Sequence, residues 1–299
     1  MTQETMVQVN GIELYYETFG DPSAEPLLLV MGLGGQLTAW PVELCESLVD
    51  RGFFVIRYDN RDVGRSTKFD DAVIDFLPTF LAAQQGEPVE VPYRLTDMAA
   101  DAAGLLDALG IESAHIVGAS MGGMIAQAIA IEHPSKVRTL TSIMSTTGER
   151  EFGQPSPEAM QVLLQPAAEG REAVIEAGLV SRKMIGSPDQ FDEAIARADL
   201  EAAYDRCYNP AGTTRQLLSI LASGSRADGL RALDVPALVI HGDADQLVTP
   251  SGGKRTAELI PGAELIILEG MGHDLPPSQM APIVDAITSL AARTAAPSA

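Results

Sequence analysis

A serine between two glycines is the feature of this chain that most directly predicts chemistry. The pattern Gly-x-Ser-x-Gly occurs as Gly118-Ala119-Ser120-Met121-Gly122, between an apolar strand pattern and an apolar helix pattern. A serine on such a sharp strand-to-helix turn is a candidate nucleophile, and its small neighbours let the surrounding backbone approach closely. The helix N-terminus that follows favours developing negative charge. The motif therefore predicts nucleophilic catalysis at Ser120.

A nucleophilic serine needs a general base, and His273 is the best placed of the four histidines. It follows the last apolar strand in a glycine-rich loop, so its imidazole can reach the carboxyl edge of a sheet. The other three are interpreted as structural residues in or beside helices and strands: His115, His133 and His241.

A third residue should hold the imidazole in the right tautomer and stabilise the imidazolium. The loop after the strand at 237–240 offers Asp243 and Asp245. The chain order of serine, aspartate and histidine is the one expected for this arrangement. The residue types and spacing leave the choice between Asp243 and Asp245 open.

Backbone amides are predicted to hold the oxyanion. One is the N–H of Met121, directly after the nucleophile, and the other is the N–H of Leu33, in the glycine-rich turn after the first buried strand. Three residues near these loops are predicted to line the substrate pocket, with core packing an equal alternative for Trp40: Gly32, Trp40 and Met144. Asp59 and Arg61 are interpreted as structural.

Eight short apolar runs predict the strands that position these residues. Asn10-Gly11 between the first two runs is a strong hairpin signal. Helical patterns separate most of the others, and one is predicted to start after Thr96 as N-cap. Strands that alternate with helices predict a mostly parallel sheet with helices on both faces. The predicted strands are 7–9, 12–19, 27–31, 53–58, 115–117, 140–144, 237–240 and 265–268, all read as buried apart from the first two.

The alternation of strands and helices breaks in the second half of the chain. Residues 146–231 contain several helical patterns, two of them starting at Ser156-Pro157 and Ser187-Pro188, and no convincing strand. We therefore predict two domains, a core of residues 1–145 and 232–299 and a helical cap (lid) of residues 146–231. Residues 69–93 are predicted to be a loop beside the cap, and residues 293–299 a frayed tail.

Together these motifs resemble the α/β-hydrolase superfamily over essentially the whole chain. The chain looks most like the bacterial aclacinomycin-methylesterase-type branch, in which Met-Gly, here Met31-Gly32, replaces the more usual His-Gly before the oxyanion turn. That branch cleaves a carboxylic methyl ester on a polyketide. The resemblance implies an α/β-hydrolase fold, a serine esterase without metal or organic cofactor, and Asp245 as the catalytic acid. Met31 lacks the polar side chain that usually props the turn.

Composition limits the partners of the protein. The 299 residues contain 20 Lys+Arg and 41 Asp+Glu, a formal charge of −21. This balance argues against nucleic acid or an anionic membrane surface, which need clustered positive charge. Cys45 and Cys207 provide no disulfide framework, and residues 1–5 lack a signal-peptide pattern, so a cytoplasmic protein is expected. The expected partner is a small-molecule ester, and the expected state is a monomer or homodimer.

Other functions compete with ester hydrolysis. The same triad supports C–C bond hydrolysis, lactone or amide hydrolysis, and cofactor-free perhydrolysis, and the fold could carry a catalytically dead binding protein. A nicotinamide-dependent oxidoreductase would use Gly32-Leu33-Gly34 and Asp59, but Leu37 occupies the third glycine position and Pro41 interrupts the required helix. A metal site is a further alternative, with these ligands: His241, Asp243, Asp245 and His273.

Overall fold

The computed structural model describes residues 3–294, so nearly all of the predicted tail lies outside the described residues. The strands in this range are β1 Gln3–Val9, β2 Ile12–Phe19, β3 Glu25–Val30, β4 Phe53–Tyr58, β5 Ala114–Ala119, β6 Val137–Ile143, β7 Ala237–Gly242 and β8 Glu264–Leu268. They form one sheet in the order β1-β2-β4-β3-β5-β6-β7-β8. The β1–β2 and β2–β4 pairs are antiparallel and the other pairs are parallel. The predicted eight-stranded, mostly parallel sheet is confirmed.

Helices cover both faces of the sheet. The α-helices of residues 3–294 are α1 Val42–Asp50, α2 Phe76–Gln85, α3 Leu95–Ala108, α4 Met121–Glu132, α5 Pro157–Leu163, α6 Arg171–Ile185, α7 Glu193–Arg206, α8 Pro210–Ser223, α9 Ala227–Arg231, α10 Ser251–Leu259 and α11 Pro277–Ala292. One apolar core joins Leu28 and Ile116 to α3 and α4. A second joins Leu29 and Val117 to α1 and α11 on the opposite face. Successive strand residues therefore enter opposite cores, as the continuous apolar runs require.

The structure tests two predictions about the ends of elements, one for a hairpin turn and one for a helix start. Asn10 and Gly11 both have positive φ, +48° and +78°, as a type I′ turn demands, and Val9 pairs with Ile12. The predicted hairpin is thus confirmed. The prediction of Thr96 as N-cap is wrong, because α3 begins at Leu95 and its N-cap is Arg94. The backbone N–H of Arg94 donates to the Asp97 carboxylate at 2.7 Å.

The two predicted Ser-Pro helix starts differ in outcome. Ser156 caps α5, its hydroxyl accepting the N–H of Ala159 at 3.1 Å. Ser187 begins only a single 3₁₀ turn, and α7 starts later, at Glu193. The Ser187 hydroxyl makes no cap hydrogen bond; it accepts the N–H of Gly272 at 3.0 Å and donates to the Asp274 carboxylate at 2.6 Å.

Two elements depart from their predicted character. Strand β8 lies at the edge of the sheet, so Leu265 and Ile267 are 37% and 38% exposed, and the prediction of a fully buried strand is wrong for that face. Ile266 packs on the core from the other face. Residues 69–93 are not only a loop, since they include helix α2, which lies against α8.

The chain between β6 and β7 is helical where the structure describes it. Helices α5 to α9 fall in this segment, with no strand between Ile143 and Ala237. Ile175, Leu179 and Ala196 form a small apolar cluster between α6 and α7, separate from the two cores beside the sheet. The division at residues 146 and 231 stays a prediction. None of the helices within residues 3–294 is both long and apolar enough to cross a membrane.

Candidate active site

The backbone holds Ser120 in a strained conformation at the end of β5. Its φ of +56° is rare for a residue with a side chain, and such strain persists only where the surroundings enforce it. The Ser120 N–H donates to Ile143 O at 2.9 Å, and its C=O accepts the Ser145 hydroxyl at 2.8 Å. The serine therefore stands at the turn into α4, at the carboxyl edge of the sheet.

Glycines make this turn possible by allowing backbone segments to touch. A Cβ built on Gly118 would lie 2.0 Å from Gly122 O, and one on Gly122 would lie 2.0 Å from Val30 O. A third glycine, Gly32, adjoins the nucleophile, since its Cβ would lie 3.0 Å from Ser120 Cβ. The elbow, β3 and the turn after β3 are consequently in direct backbone contact.

The structure brings His273 and Asp245 to Ser120. His273 Nε2 lies 2.9 Å from Ser120 Oγ, and His273 Nδ1 lies 2.7 Å from Asp245 Oδ2. The first contact spans 153 positions and the second 28, so only the fold assembles them. The histidine side chain is 8% exposed and the carboxylate is fully buried.

The acid loop keeps the Asp245 carboxylate ionised. Its Oδ1 accepts the backbone N–H groups of Leu247 and Val248, each at 2.9 Å. Burial opposes the charge, but the charge of protonated His273 and the hydrogen bonds from His241 and His273 outweigh it and lower the pKa of Asp245 to about 2. The carboxylate is thus ionised at neutral pH.

Asp243, the alternative acid, points elsewhere. Its Oδ1 accepts the N–H of Gly270 at 2.7 Å, which ties the acid loop to the loop that carries His273. Asp243 is exposed, whereas Asp245 is buried beside the imidazole. In the structure Asp245, rather than Asp243, contacts His273.

The other histidines lie away from Ser120. His115 is buried in β5 with its Nδ1 2.9 Å from Thr139 Oγ1, and burial, with the nearby Arg138 charge, lowers its pKa to about 4. His241 is fully buried under the acid loop, its Nε2 2.7 Å from Val248 O. His133 follows the last residue of α4.

The two amides predicted to hold an oxyanion belong to the residue after Ser120 and to the residue after Gly32, which adjoins Ser120. Met121 is the first residue of α4, where backbone N–H groups lack intrahelical partners. Leu33 lies next to Gly32 in a turn closed by the Gly35 N–H donating to Gly32 O at 3.1 Å. A trans peptide directs its C=O and N–H oppositely, so the Leu33 N–H points away from the inside of that turn.

Side chains of the loop after β4 support these loops, and one of them, Asn60, was not singled out from the sequence. The Asn60 side chain donates to Met31 O at 2.9 Å, and the Asp59 carboxylate accepts the N–H of Leu37 at 2.7 Å. Asp59 and Arg61 are structural as expected, Arg61 forming a buried pair with Asp101 at 2.6 Å. The sequence indicated only that polar residues follow the strand β4. The hydrogen-bond partners of these residues could not be deduced from sequence spacing.

The loop of His273 rests on the end of α6. The His273 N–H donates to Ile185 O at 2.7 Å, and the Gly272 N–H donates to Ser187 Oγ at 3.0 Å. Ser187 in turn donates its backbone N–H to the Asp274 carboxylate at 3.1 Å. The helical segment thus fixes the backbone on both sides of the histidine, a contact that no sequence motif indicated.

The predicted pocket residues occupy different environments. Gly32 adjoins the nucleophile, as described above. Trp40 is completely buried in the core on the α1 and α11 face, so core packing describes its position. Met144 is 5% exposed, packs in the same core and has a φ of +42°.

The geometry disfavours two of the alternative functions, a metal site and a nicotinamide-dependent oxidoreductase. Among residues 3–294 no group of three histidine, cysteine or acidic side chains is arranged to hold a metal ion. The glycines after β3 do not open a helix, since a 3₁₀ turn at Leu37–Ala39 follows and α1 begins only at Val42. Asp59 is fully buried and already accepts backbone N–H groups, so it has no free oxygen for a ribose.

Comparison with known proteins identifies the family. Residues 25–277 match the model of the α/β-hydrolase fold family. Rhodomycin D methylesterase of Streptomyces peucetius is 31% identical over 94% of this chain and 96% of its own length. The chain therefore belongs to the α/β-hydrolase family, and the expected fold and the resemblance to methylesterases are confirmed.

Solved structures give the same fold. A thermophilic esterase from Thermogutta terrifontis is 25% identical, with a TM-score of 0.73 over 98% of this chain and 99% of that one. A meta-cleavage product hydrolase from Pseudomonas fluorescens IP01 is 20% identical, with a TM-score of 0.75 over 97% of both chains. The family match and the methylesterase relative show that this protein is an enzyme of the hydrolase class, as expected.

Proposed function

We propose that this enzyme hydrolyses small carboxylic esters, methyl esters among them, through an acyl-enzyme on Ser120. The observation that carries the proposal is the continuous set of contacts from Ser120 Oγ to His273 Nε2 at 2.9 Å and from His273 Nδ1 to Asp245 Oδ2 at 2.7 Å. The named esterase relatives support the same chemistry. These three residues form a Ser-His-Asp triad in this proposal.

In the first half-reaction Ser120 Oγ bonds to the ester carbonyl carbon. His273 Nε2 takes the hydroxyl proton, and the carbonyl electron pair moves onto oxygen, where the amides of Leu33 and Met121 donate to it. The imidazolium then gives its proton to the departing alkoxide as the C–O bond breaks. Asp245 stays ionised throughout and stabilises the imidazolium.

In the second half-reaction water replaces the alcohol. His273 removes a proton from the water, and the hydroxide attacks the acyl-Ser120 carbonyl. The same two amides hold the second oxyanion. Collapse of this intermediate breaks the bond to Oγ, which recovers its proton from His273, and the carboxylic acid leaves. Every covalent bond that forms or breaks in the two half-reactions belongs to the substrate, to water, or to the side chains of Ser120 and His273.

The decisive experiment is the Ser120→Ala variant assayed on short-chain p-nitrophenyl esters. We expect kcat to fall by about 10⁴- to 10⁶-fold, since the nucleophile is removed. Mass spectrometry after treatment with a serine-directed phosphonate should find one stable adduct, on Ser120. Wild-type turnover in the alanine variant, or an adduct on another residue, would refute the nucleophile.

The acid is tested with two matched variants, Asp245→Asn and Asp243→Asn. Loss of the Asp245 charge should lower kcat by about 10³- to 10⁴-fold, because the imidazolium loses its partner and the tautomer is no longer fixed. Asp243→Asn removes an exposed carboxylate that contacts only the neighbouring loop in the described structure, and should keep kcat within about threefold. The reverse ranking would move the role to Asp243.

A substrate panel then separates ester hydrolysis from the sister reactions of the same triad. Methyl esters, lactones and ring-cleavage diketones are compared at equal enzyme concentration by kcat/KM. We expect methyl esters to rank first. A diketone or lactone that exceeded every ester would replace the proposed reaction by C–C bond or lactone hydrolysis.

A further inference from the structure

The turn that carries the Leu33 amide is held by side chains from distant parts of the chain. Its first carbonyl, Met31 O, accepts Asn60 Nδ2 at 2.9 Å, and its last amide, Gly34 N–H, donates to Gln216 Oε1 at 2.9 Å. We propose that Gln216, on helix α8, is a positioning residue for the oxyanion donor Leu33. This inference rests on the function proposed above, in which Leu33 holds the oxyanion.

The hydrogen bond from Gln216 fixes the peptide next to the donor. The Leu33 N–H belongs to the peptide that joins Gly32 and Leu33, and the Gly34 N–H belongs to the following one. Because each peptide is planar, fixing the Gly34 N–H also fixes the dihedral angles available to Leu33. Asn60 fixes the preceding peptide through Met31 O, so the donor peptide is held between two anchored neighbours.

Both ends of the Gln216 amide are bonded in complementary ways. Its Oε1 accepts from Gly34 N–H, and its Nε2 donates to Arg61 O at 2.8 Å. Only one orientation of the amide satisfies both partners, because one is a donor and the other an acceptor. The side chain is completely buried, so water cannot substitute for either bond.

Helix α8 is itself fixed against the core at the same point. Arg215 donates to the two oxygens of the Asp62 carboxylate at 2.8 and 2.7 Å. Thr213 packs directly on the turn, since a Cβ built on Gly34 would lie 2.9 Å from Thr213 Oγ1. The helical segment between β6 and β7 therefore supplies a rigid support for the oxyanion turn.

The test compares Gln216→Met with the wild-type enzyme. Methionine has a similar volume but cannot bond to either Gly34 or Arg61. We expect kcat on p-nitrophenyl acetate to fall about 10- to 100-fold with KM within about threefold, since a displaced donor weakens binding of the transition state. The Ki of a trifluoromethyl ketone, which forms an oxyanion on Ser120, should rise by the same factor.

Gln127→Met is the matched control. Gln127 is also completely buried, its Nε2 lies 3.3 Å from Ser142 Oγ, and its Oε1 accepts from Arg226 at 3.0 Å. We expect this variant to lose stability as Gln216→Met does, while its kcat and the ketone Ki stay within about twofold of wild type. A general loss of core packing would instead lower kcat in both variants and overturn the inference.

A second variant separates the loss of the hydrogen bond to Gly34 from the loss of folding. Gln216→Asn keeps an amide that is one methylene shorter, so its oxygen is withdrawn from Gly34 with a smaller packing loss. It should show the same fall in kcat and rise in Ki. A folded Gln216 variant with unchanged kcat and Ki overturns the inference. Esterase activity that survives in the Ser120→Ala variant would overturn the proposed function instead. The two failures are therefore distinguishable.

Discussion

Residues 118–122, the elbow proposed to carry the nucleophile, touch residues 31–35, the turn proposed to carry an oxyanion donor (the oxyanion turn). Different contacts hold the two segments. The elbow is fixed by its own glycines, which let residues 118–122 and the end of β3 meet backbone to backbone. The oxyanion turn is fixed by side chains from far away, Asn60 on the loop after β4 and Gln216 on α8. Backbone contacts hold one half of the site, and side chains from other parts of the chain hold the other half.

This difference predicts how each half fails. A side chain added at an elbow glycine meets immovable backbone, so it should prevent folding of the sheet around it. A change around the oxyanion turn meets side chains that can shift, so it should leave a folded enzyme with a displaced donor. Stability and catalysis should consequently separate in the turn and not at the elbow glycines.

The largest effect is expected for Gly122→Ala. Its Cβ would lie 2.0 Å from Val30 O and 2.8 Å from Met31 O, and neither backbone carbonyl can withdraw without moving β3. We expect a loss of more than about 4 kcal/mol in the free energy of unfolding, or no folded protein at all. Circular dichroism and urea unfolding of the purified variant measure it.

Gly170→Ala is the control for the effect of replacing a glycine by alanine without a steric conflict. Gly170 has a φ of +87° and a ψ of 148°, a backbone conformation that Gly122 in α4 does not share, and a Cβ there meets nothing within 4 Å. Only the backbone strain of that conformation, about 1–3 kcal/mol, should appear. Equal losses in the two variants would mean that the close approach at Gly122 does not matter.

The next effect tests the anchor of the oxyanion turn. Arg215→Met leaves the fully buried Asp62 carboxylate without its charged partner, which should cost about 3–5 kcal/mol in the free energy of unfolding. Since Arg215 adjoins Gln216, kcat should fall in the molecules that remain folded. Urea unfolding and kcat at pH 7 are the measurements.

The double variant Asp62→Asn/Arg215→Met checks the cause. It removes the buried charge along with its partner, so it should be more stable than Arg215→Met alone. Asp62 also accepts the Tyr93 hydroxyl at 2.6 Å and the Phe69 N–H at 2.8 Å. The amide oxygen of asparagine can still accept that N–H, while its NH₂ group donates to the Tyr93 hydroxyl oxygen. A double variant less stable than the single one would attribute the loss to packing rather than to charge.

The smallest effect concerns the strand that leads into the elbow. Burial, with the Arg138 charge, lowers the pKa of His115 to about 4, below the unfolded value near 6.5. As the pH falls from 7 to 5 the unfolded chain binds a proton that the folded chain does not, so the wild type should lose about 2 kcal/mol through this residue. His115→Asn lacks this proton linkage.

Urea unfolding of both proteins at pH 7 and pH 5 gives the comparison. The stability difference between wild type and His115→Asn should shrink as the pH falls. The kcat at pH 7 should stay within about twofold, because the glycine contacts of the elbow are unaffected. A stability difference that is the same at both pH values would contradict the lowered pKa.

Much of this architecture was predictable because it depends on local patterns. The Asn10-Gly11 turn, the continuous apolar strands and the position of Ser120 before an apolar helix all follow from short-range geometry. The edge position of β8 was not predictable, because Leu265 and Ile267 read as core residues until their neighbours are known. Ser187 likewise resembled a helix cap, yet it bonds to Asp274, 87 positions away.

The sequence by itself determined the residues with chemical capacity and the family to which the chain belongs. A serine between glycines, a histidine after the last strand and an aspartate after the strand before it are recognisable because each is bound to a local backbone form. Residue types and spacing left Asp243 and Asp245 open, the family resemblance implied Asp245, and in the structure Asp245 contacts His273. Only the tertiary structure decided that Gln216 and Asn60 bond to the turn after β3. Those contacts join residues from 28 to 182 positions apart, and no local periodicity encodes a distance that only the packed sheet and helices create.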